Sequence, residues 1–246
     1  MKLKQIAFIS DIHGNSEALR VVLQNIQSRG IESIINLGDS LYGPLDPKGT
    51  FDLLQDYQVQ SISGNQDRFI LENIDQATDI PTLEFTKSQM NTVMTEWLRS
   101  LPFSLKLNQI YCCHASPNSD CNYLLEKLDK NVVSVKNVNE LDEILKDIPQ
   151  PIVFCAHSHV SKVVKTKYKT IINCGSVGLP AYDDELPIYH KMESLNPMTK
   201  YVIISLDGET FQIEQVSLSY NYEEAALLAE KNNRPDWAKW IRNGRV

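Results

Sequence analysis

The sequence has no apolar run that approaches the roughly 18 residues of a membrane-spanning helix, so no membrane span is expected. It also lacks an excess of basic residues, because 24 Lys and Arg residues stand against 31 Asp and Glu residues, a formal net charge of −7. This balance disfavours binding of polymeric nucleic acid through a broad basic surface. It remains compatible with a small anionic substrate that is held by bound cations.

Cysteine is scarce and irregularly spaced. The chain has five cysteines, an odd number that gives no regular disulfide framework. Cys112, Cys113 and Cys155 lie in apolar, strand-like runs, and Cys174 follows one. This pattern is typical of buried thiols in a reducing environment, so we expect free thiols and a cytoplasmic location.

Internal repeats, low-complexity runs and linker-like segments are absent from the sequence. The 246 residues, 42% of them hydrophobic, are enough for one large α/β domain with a full core. We therefore predict a single domain over residues 1–246. Apolar residues at helical spacing predict that it includes a helical C-terminal tail, at about residues 220–246.

Hydrophobic periodicity predicts alternating strands and helices in the first half of the chain. Nearly continuous apolar runs at residues 5–10, 33–37 and 59–63 have the character of strands that are buried on both faces. Between the first two runs, apolar residues at helical spacing predict a helix over residues 16–28. This strand–helix–strand unit indicates parallel pairing.

The second half is predicted to be richer in hairpins. Residues 68–102 have mostly helical patterns, and an apolar strand is expected at residues 152–155. Helices are also expected at about residues 122–128 and 138–148, and a long loop at residues 179–197. Hairpins are predicted within residues 104–113, 160–173 and 201–216.

Polar residues with metal-binding side chains follow the predicted strands. Asp11 and His13 come directly after the first strand, where period-two spacing places both on one side of extended backbone. The full set is Asp11, His13, Asp39, Asn65, His114, His157 and His159, and it includes four of the five histidines. Any single histidine could be a buried structural residue. Two carboxylates, one amide and four imidazoles, however, are about what two divalent metal ions need.

The order of these motifs resembles the calcineurin-like metallophosphoesterase superfamily. The motifs are, in chain order, Asp-x-His-Gly-Asn from Asp11, Gly-Asp at Asp39, Gly-Asn-x-Asp at residues 64–67, a lone His114, and His-x-His at residues 157–159. The Gly-Ser-Val-Gly turn at residues 175–178, followed by Leu-Pro, is similar to small bacterial members of the superfamily. Residues 42–54 and the helical tail resemble bacterial phosphodiesterase-type members that are related to diadenosine tetraphosphate phosphatases.

The resemblance implies an α/β fold, namely a four-layer α/β/β/α sandwich of two mixed β-sheets. It also implies two divalent metal ions as cofactors, with manganese favoured over iron, zinc, nickel or cobalt. The ligands carried over are Asp11, His13 and His159 for one ion, Asn65, His114 and His157 for the other, and Asp39 as the bridge between the two. The residues alone indicate that a bridging carboxylate is needed, but not which aspartate provides it.

A pair of metal ions predicts phosphoester hydrolysis by attack of a metal-bridging hydroxide on phosphorus. In most members of the superfamily a histidine inside the Gly-Asn-x-Asp motif is assigned to the leaving group. This chain has Gln66 there, and glutamine cannot act as a general acid near pH 7. Small phosphodiesters or dinucleoside polyphosphates are therefore the expected substrates, because better leaving groups depend less on acid catalysis. Alternatively, Gln66 is simply tolerated and a metal-bound water supplies the proton.

Other polar residues near the motifs are weaker candidates for the site. Gln66 and Asp67 are the predicted catalytic residues, and Asn15 and Arg68 are the predicted substrate-binding residues. Asn15 is also suited to capping the first helix. Arg68 could bind a phosphate or lie on the solvated surface. His190 lies in the predicted long loop, which could form a lid or have no role.

Three functions remain open at the level of the sequence. The favoured one is a dinuclear metal-dependent phosphodiesterase that acts on a small phosphorylated substrate, without a membrane or a nucleic-acid partner. The alternative is a phosphomonoesterase, including a phosphoprotein Ser/Thr phosphatase. A non-catalytic interaction scaffold is less favoured, because all the ligand types are present. The aromatic residues of the helical tail are expected to pack against the sheet, with stacking on a base as the alternative.

Overall fold

The structure is a computed structural model, and it describes residues 4–130 and 132–246. Its strands are β1 (Lys4–Ile9), β2 (Ser33–Asn36), β3 (Gln60–Ser61), β4 (Ser104–Leu107), β5 (Ile110–Cys113), β6 (Glu126–Asp129), β7 (Val132–Val135), β8 (Ile152–Cys155), β9 (Lys162–Lys165), β10 (Thr170–Asn173), β11 (Ala181–Asp184), β12 (His190–Glu193), β13 (Thr199–Asp207) and β14 (Thr210–Leu218). Its helices are α1 (Ser16–Ser28), α2 (Pro47–Asp56), α3 (Asn65–Glu72), α4 (Pro81–Gln89), α5 (Thr92–Ser100), α6 (Val138–Ile144), α7 (Tyr222–Lys231) and α8 (Pro235–Asn243). Across these two ranges, none of the helices combines the length and apolarity that crossing a membrane requires.

Ten strands form two five-stranded mixed sheets. The first sheet has the order β14-β13-β1-β2-β3, in which β1, β2 and β3 are parallel and β13 is antiparallel to both of its neighbours. The second has the order β4-β5-β8-β10-β9, with β5, β8 and β10 parallel and the two edge strands antiparallel. The parallel strands are joined by crossover connections, and the antiparallel pairs at the sheet edges by short hairpin turns.

The two sheets pack face to face, and helices cover their outer faces. Between the sheets, Phe8 of β1 stacks on Phe154 of β8 with ring centroids 3.6 Å apart, at the centre of an apolar core. Helices α1, α2, α7 and α8 cover the first sheet, and α6 covers the second. The fold is therefore the four-layer α/β/β/α sandwich that the resemblance implied. Because β1 and β8 are buried on both faces, their sequences are apolar without alternation.

Loops that follow the parallel strands of both sheets meet at one edge of the sandwich. The backbone N–H of Asp11 donates to Gly38 O at 3.0 Å, which joins the loop after β1 to the loop after β2. In the second sheet, Ala156 N donates to His114 O at 2.7 Å. Gly178 N donates to Asp11 O at 3.0 Å and connects the two halves. The carboxyl ends of the strands therefore form one continuous surface, which is where sites form in α/β sheets.

Most of the predicted elements are confirmed. The helix at residues 16–28 and all three predicted hairpins are present. The helix predicted at about residues 122–128 is wrong, because this segment leads into β6, which pairs with β7. Glu126 is the physical reason: its side chain is buried, accepts from Ser158 Oγ at 2.8 Å and pairs with Lys162 at 2.8 Å.

The loop predicted at residues 179–197 is also only partly correct. It contains the hairpin β11–β12, in which Asp184 pairs with His190 and Ala181 with Glu193. Ala181 and Met192 are buried, so the hairpin has a small apolar face even though its tip is exposed. Of the acidic and proline residues that indicated a loop, Glu185 and Pro187 lie at this tip, and the others lie in or beside the two strands.

Candidate metal centre

The structure brings the seven predicted ligands together at the carboxyl-end surface. Two groups have ligand atoms that all lie within 4.8 Å of one another: Asp11, His13 and His159 form the first group, and Asp39, His114 and His157 form the second group. Asn65 joins the second group through its Oδ1 atom, which lies 2.9 Å from His114 Nε2. No member of either group is close to another in sequence beyond the short Asp-x-His and His-x-His motifs, so the fold assembles them.

The backbone at the predicted ligands is strained. Five of the seven have left-handed backbone, with φ of 51° at Asp11, 53° at His13, 54° at Asp39, 68° at His157 and 59° at His159. This conformation costs about 1 kcal/mol or more for each residue that carries a Cβ atom. Such a cost, concentrated in residues that point their side chains at one place, is typical of a functional site.

Two glycines allow the ligand loops to approach each other. A Cβ atom at Gly64 would collide with the Asp39 carboxylate and its backbone nitrogen. A Cβ atom at Gly178 would collide with the carbonyl of Ile12. The glycines in the Gly-Asn-x-Asp and Gly-Ser-Val-Gly motifs therefore have a steric role. Because they lack a Cβ atom, their backbone can pack directly against the loops that carry Asp11, His13 and Asp39.

The first group concentrates unpaired acceptor atoms. His13 Nε2 lies 3.2 Å from His159 Nε2, and His159 Nε2 lies 3.4 Å from Asp11 Oδ1. Asp11 is completely buried, and its Oδ1 atom has no hydrogen-bond partner among the described residues. His13 Nδ1 lies 3.0 Å from Tyr42 O and His159 Nδ1 lies 2.6 Å from Leu179 O, so each imidazole donates from Nδ1. Both Nε2 atoms therefore face each other and Asp11 Oδ1, an arrangement that a bound cation would stabilise.

The second group differs in the orientation of one imidazole. His114 Nδ1 donates to Leu37 O at 2.8 Å, so its Nε2 faces the site, where it lies 3.4 Å from Asp39 Oδ2. His157 is reversed: its Nε2 lies 3.0 Å from Cys121 O, which leaves Nδ1 for a metal. The edge of His157 also reaches solvent, whereas the other histidines of the two groups are buried.

Asp39 lies between the two groups. Its Oδ2 atom is 3.4 Å from His114 Nε2 in the second group and 3.9 Å from His13 Nε2 in the first. Its Oδ1 atom accepts a hydrogen bond from the backbone N–H of Gln66 at 2.8 Å. One carboxylate oxygen therefore faces ligands of both groups, which is the position that a bridging ligand requires.

Burial and charge set the protonation of the ligands. Burial, reinforced by His159, lowers the pKa of His13 to about 4, and burial with His114 lowers the pKa of His157 to about 3. Burial alone would raise the pKa of Asp11 and of Asp39, but facing imidazoles outweigh it and lower both. Burial would lower the pKa of His114, yet the Asp39 carboxylate raises it to about 10.

These protonation states suit divalent metal ions. Both carboxylates are ionised at neutral pH, and two of the imidazoles are neutral, as metal ligands must be. The raised pKa of His114 means that it carries a second proton near pH 7, which a metal ion would displace on binding. The two groups together fit two cations. They offer the unpartnered Oδ1 of Asp11, the converging Nε2 atoms of His13 and His159, and the Asp39 carboxylate between the groups. The donor set of nitrogen and oxygen atoms matches metals such as manganese, iron and zinc.

Two predicted catalytic residues lie at the start of α3. The side chain of Gln66 is partly exposed at the site, and its Oε1 atom is buried without a partner. Asp67 is fully buried and accepts from the backbone N–H groups of Asp39 at 2.8 Å, Ser40 at 3.0 Å and Gly64 at 3.0 Å. Burial and then the Asp39 charge raise the pKa of Asp67 to about 7. These contacts favour a positioning role for Asp67, and its catalytic role stays a prediction.

The predicted substrate-binding residues have other partners. Asn15 is buried; its Oδ1 accepts from Ala18 N at 3.1 Å, and its Nδ2 donates to Gly178 O at 2.9 Å and Tyr220 Oη at 3.1 Å. It therefore caps α1. Arg68 is exposed, and Asp120 and Glu72 bind its guanidinium at 2.6–3.1 Å. That Asn15 or Arg68 contacts substrate stays a prediction. Their hydrogen bonds disfavour it, because they already use the polar atoms of both side chains.

Two clefts open beside the candidate ligands. The aromatic cleft has a volume of about 260 Å³ and is lined on one side by Tyr42, Tyr182, Arg234, Trp237 and Trp240. The hairpin cleft has a volume of about 920 Å³ and lies against β6 and the tip of the β11–β12 hairpin. Both clefts include Asn65, His157 and Asp184 in their walls. The second group of ligands therefore lies where the two clefts meet.

Two tyrosines that the sequence did not single out hold the His-x-His motif. Tyr123 stacks on His157 with ring centroids 4.6 Å apart, and Tyr182 packs edge-on against His159 at 4.6 Å. Tyr182 Oη donates to His157 O at 2.9 Å and lies 2.7 Å from Tyr123 Oη, which is 2.8 Å from His190 Nε2. The predicted lid segment thus contributes to the ligand support. Tyr123 lies in a segment that was predicted to be helical and Tyr182 in one that was predicted to be a loop, so neither pattern indicated this role.

The chain is similar in sequence and in fold to known proteins. Residues 5–193, which include all seven predicted ligands, match the calcineurin-like phosphoesterase superfamily domain. The chain is 28% identical over 255 residues to an uncharacterized protein of Methanocaldococcus jannaschii, with 96% of each covered. Its structure is similar to a metallophosphoesterase from Sphaerobacter thermophilus, with TM-score 0.75, 19% identity and coverage of 98% of this chain and 99% of that one. A proposed diadenosine tetraphosphatase is similar with TM-score 0.56, 18% identity and coverage of 87% and 93%.

Proposed function

Because the chain belongs to the calcineurin-like phosphoesterase superfamily, and is therefore a metal-dependent phosphoester hydrolase, we propose that it cleaves small phosphodiesters or dinucleoside polyphosphates. The observation that carries this proposal is the meeting of the two clefts at Asn65 and His157. A diester or a phosphoanhydride has a substituent on each side of the attacked phosphorus, and each substituent can occupy one cleft. A monoester has only one such substituent and would leave a cleft unused.

We propose that the first group of ligands and the second group each hold one divalent ion, with Asp39 between them. When bound, the ions supply positive charge for the phosphoryl oxygens and lower the pKa of water. The protein contributes a fixed arrangement of ligands: backbone carbonyls orient His13, His114 and His159. The backbone N–H groups of Asp39 and Ser40 donate to the Asp67 carboxylate, which fixes the loop of Asp39. Manganese is the proposed metal, as the resemblance to the superfamily implies, and the nitrogen and oxygen donor set is compatible with it.

Gln66 is the residue that favours good leaving groups in this proposal. Its amide can donate a hydrogen bond to a leaving oxygen but cannot protonate it near pH 7. General acid catalysis typically contributes about 10²–10⁴-fold, so its absence slows substrates with basic alkoxide leaving groups most. A phosphate or aryl leaving group needs less help. We propose that the buried, unpartnered Oε1 reflects a side chain whose polar contacts are completed by substrate or water.

The test compares three substrates with the manganese-loaded protein. Bis(p-nitrophenyl) phosphate and diadenosine tetraphosphate are expected to have a kcat/KM at least about tenfold above that of p-nitrophenyl phosphate, since the monoester uses one cleft. Gln66→His is expected to raise cleavage of an alkyl monoester such as glycerol phosphate by about 10-fold or more, because its alkoxide leaving group needs a proton, while cleavage of bis(p-nitrophenyl) phosphate changes little. Fastest cleavage of the monoester by the unmodified protein would overturn the diester proposal and favour a phosphomonoesterase.

Two further features follow as proposals. Helices α7 and α8 pack on α1 and on the β11–β12 hairpin and form part of the aromatic cleft, so we propose that the whole chain acts as a single domain. Four cysteines are buried, and the described cysteines are all free thiols. A cytoplasmic location is proposed on this basis.

A further inference from the structure

The C-terminal helices form one wall of the aromatic cleft. Trp237 of α8 packs edge-on against the candidate ligand His13, with ring centroids 5.7 Å apart. Asn232 Nδ2 donates to Pro44 O at 2.7 Å, which ties the turn between α7 and α8 to the loop beside Tyr42. The wall is therefore fixed against the first group of ligands and is part of the site.

Arg234 gives this wall its charge. Among the described residues that line the aromatic cleft, it is the one Lys or Arg. Asp183 and Asp184 line the cleft too, so an anionic substituent is repelled from the β11–β12 side and attracted to the α8 side. The sequence alone did not distinguish Arg234 from a solvated residue at the start of a helix.

Neighbouring side chains hold the Arg234 guanidinium in place without using all of its donors. Nε donates to Asp236 Oδ1 at 2.9 Å, Nη2 donates to Asp236 Oδ2 at 2.5 Å, and Nη1 donates to Thr82 Oγ1. A guanidinium has five N–H groups, so two remain for a ligand. The side chain is only 19% exposed, which strengthens its interaction with an anion. Arg68, by contrast, makes five such contacts, with Asp120, Glu72 and Cys121.

The guanidinium is near the ligands but is not one of the groups around the metal positions. Arg234 Cζ lies 5.4 Å from the Trp237 ring, and His13 packs on the same indole. A phosphoryl group bound at the two candidate ligand groups would lie beside the aromatic cleft, because His13, Asp39 and His157 are in its wall. A second phosphate that extends from it into this cleft would meet Arg234 in the same wall.

We propose that Arg234 binds the phosphate next to the one that is attacked, so that the aromatic cleft selects phosphoanhydrides with two or more phosphates over simple diesters. This inference rests on the proposed function and narrows its substrate class to polyphosphates. Asp236 and Thr82 position the guanidinium, and its two free N–H groups donate to the oxygens of the second phosphate.

Binding of non-hydrolysable probes tests this proposal without turnover. Methylenediphosphonate has two phosphoryl groups and methylphosphonate has one, and both can be titrated by the fluorescence of Trp237 and Trp240 with free manganese in excess. Arg234→Gln is expected to weaken the affinity for methylenediphosphonate at least about tenfold and the affinity for methylphosphonate less than about twofold. The reason is that the variant loses a charge-assisted contact only with the second phosphoryl group, which methylphosphonate lacks. Arg234→Lys retains part of the difference, since a lysine supplies the charge without the planar fork.

Arg242→Gln is the matched control, because Arg242 lies on the same helix, is ion-paired with Glu223 and Glu230, and is outside the aromatic cleft. It should change the affinity of neither probe. Equal weakening of both probes by Arg234→Gln, or no weakening, would overturn the proposal. If the unmodified protein binds the probes as expected but hydrolyses no diester or polyphosphate, the proposed function fails while the assignment of Arg234 stands.

Discussion

The two groups of candidate ligands differ in how they are prepared for a metal ion. In the first group, Asp11, His13 and His159 are no more than 4% exposed, and His159 Nε2 lies 3.2 Å from His13 Nε2 and 3.4 Å from Asp11 Oδ1. In the second group, His114 Nε2 lies 3.4 Å from the Asp39 carboxylate, which raises the pKa of His114, and His157 borders both clefts. Both groups border the aromatic cleft, but the second group also borders the hairpin cleft, through Asn65 and His157.

This difference indicates that the two candidate metal positions have different roles. Converging lone pairs in a buried site have no alternative partner, so an ion bound by the first group relieves repulsion as well as forming new bonds. An ion bound by the second group must first displace the proton on His114, and it competes with water. We therefore expect the first group to hold its ion more tightly and the second group to exchange its ion and to meet the substrate.

The largest effect is expected from Asp39→Asn, because this carboxylate faces both groups. The change keeps the shape of the side chain and removes the charge that both ions share. We expect loss of at least one metal equivalent and a decrease in kcat of about 10³-fold or more, since the two-metal arrangement supplies several kcal/mol. Metal analysis after gel filtration and single-substrate kinetics measure both. Retention of two equivalents would show that Asp39 does not lie between the ions.

The second prediction separates the groups through the two histidines of one motif. His157→Ala should release one equivalent at a chelator concentration that leaves the other bound, because only the exposed group is altered. His159→Ala should lower the affinity of the tighter equivalent and reduce thermal stability in excess manganese, since less binding energy is coupled to folding. Chelator titration followed by metal analysis checks the order. Identical release curves for the two variants would remove the proposed difference between the groups.

A smaller effect is expected from Tyr182→Phe, which removes one hydroxyl outside the ligand set. This hydroxyl donates to the backbone carbonyl of His157 and contacts Tyr123. The metal affinity of the second group should fall about tenfold, as is typical for the loss of a supporting hydrogen bond, and the first group should not change. Tyr189→Phe is the control, because Tyr189 is exposed on the same hairpin and its hydroxyl contacts only Asp183, at 3.2 Å. A change at both metal positions would argue for a general loosening of the fold.

The smallest effect is expected outside both groups, at Lys200. Burial lowers the pKa of this ammonium from 10.5 to about 8, so the folded state binds fewer protons than the unfolded state between these values, and stability rises with pH there. Below pH 8 the cost of the buried charge is fully present. Lys200→Met should therefore stabilise the protein at pH 7 by no more than about 1 kcal/mol, because the site is partly exposed and screened. Urea unfolding at pH 7 and pH 10 measures the gain, which should shrink at pH 10 while metal content stays the same.

The ligand set was accessible from the sequence because the rule behind it is simple. Apolar strands that are buried on both faces are easy to identify, and their carboxyl ends must lie at one surface. Side chains after those strands, such as Asp11 and His157, are therefore brought together whatever the details of the loops. The same rule predicted the parallel pairing of β1 with β2.

Other parts of the site depend on contacts that no local pattern encodes. The β11–β12 hairpin was missed because its tip carries the charged and proline residues of a loop, while its apolar face is only Ala181 and Met192. Glu126 is a buried charge whose partners, Ser158 and Lys162, are more than 30 residues away. Arg234 became a candidate only when α8 was placed against His13. Tertiary packing decides these cases, and propensity does not.

The left-handed backbone at Asp11, His13, Asp39, His157 and His159 has a consequence for how this protein can change. The conformational cost is present whether or not metal is bound, and glycine or asparagine would relieve it. A library that is screened only for resistance to heat, in the presence of a chelator, should accumulate glycine and asparagine at these five positions before the core changes. Such a screen would yield a protein that is more stable to heat but has lost its candidate metal ligands, because the residues proposed to bind metal are also those with strained backbone.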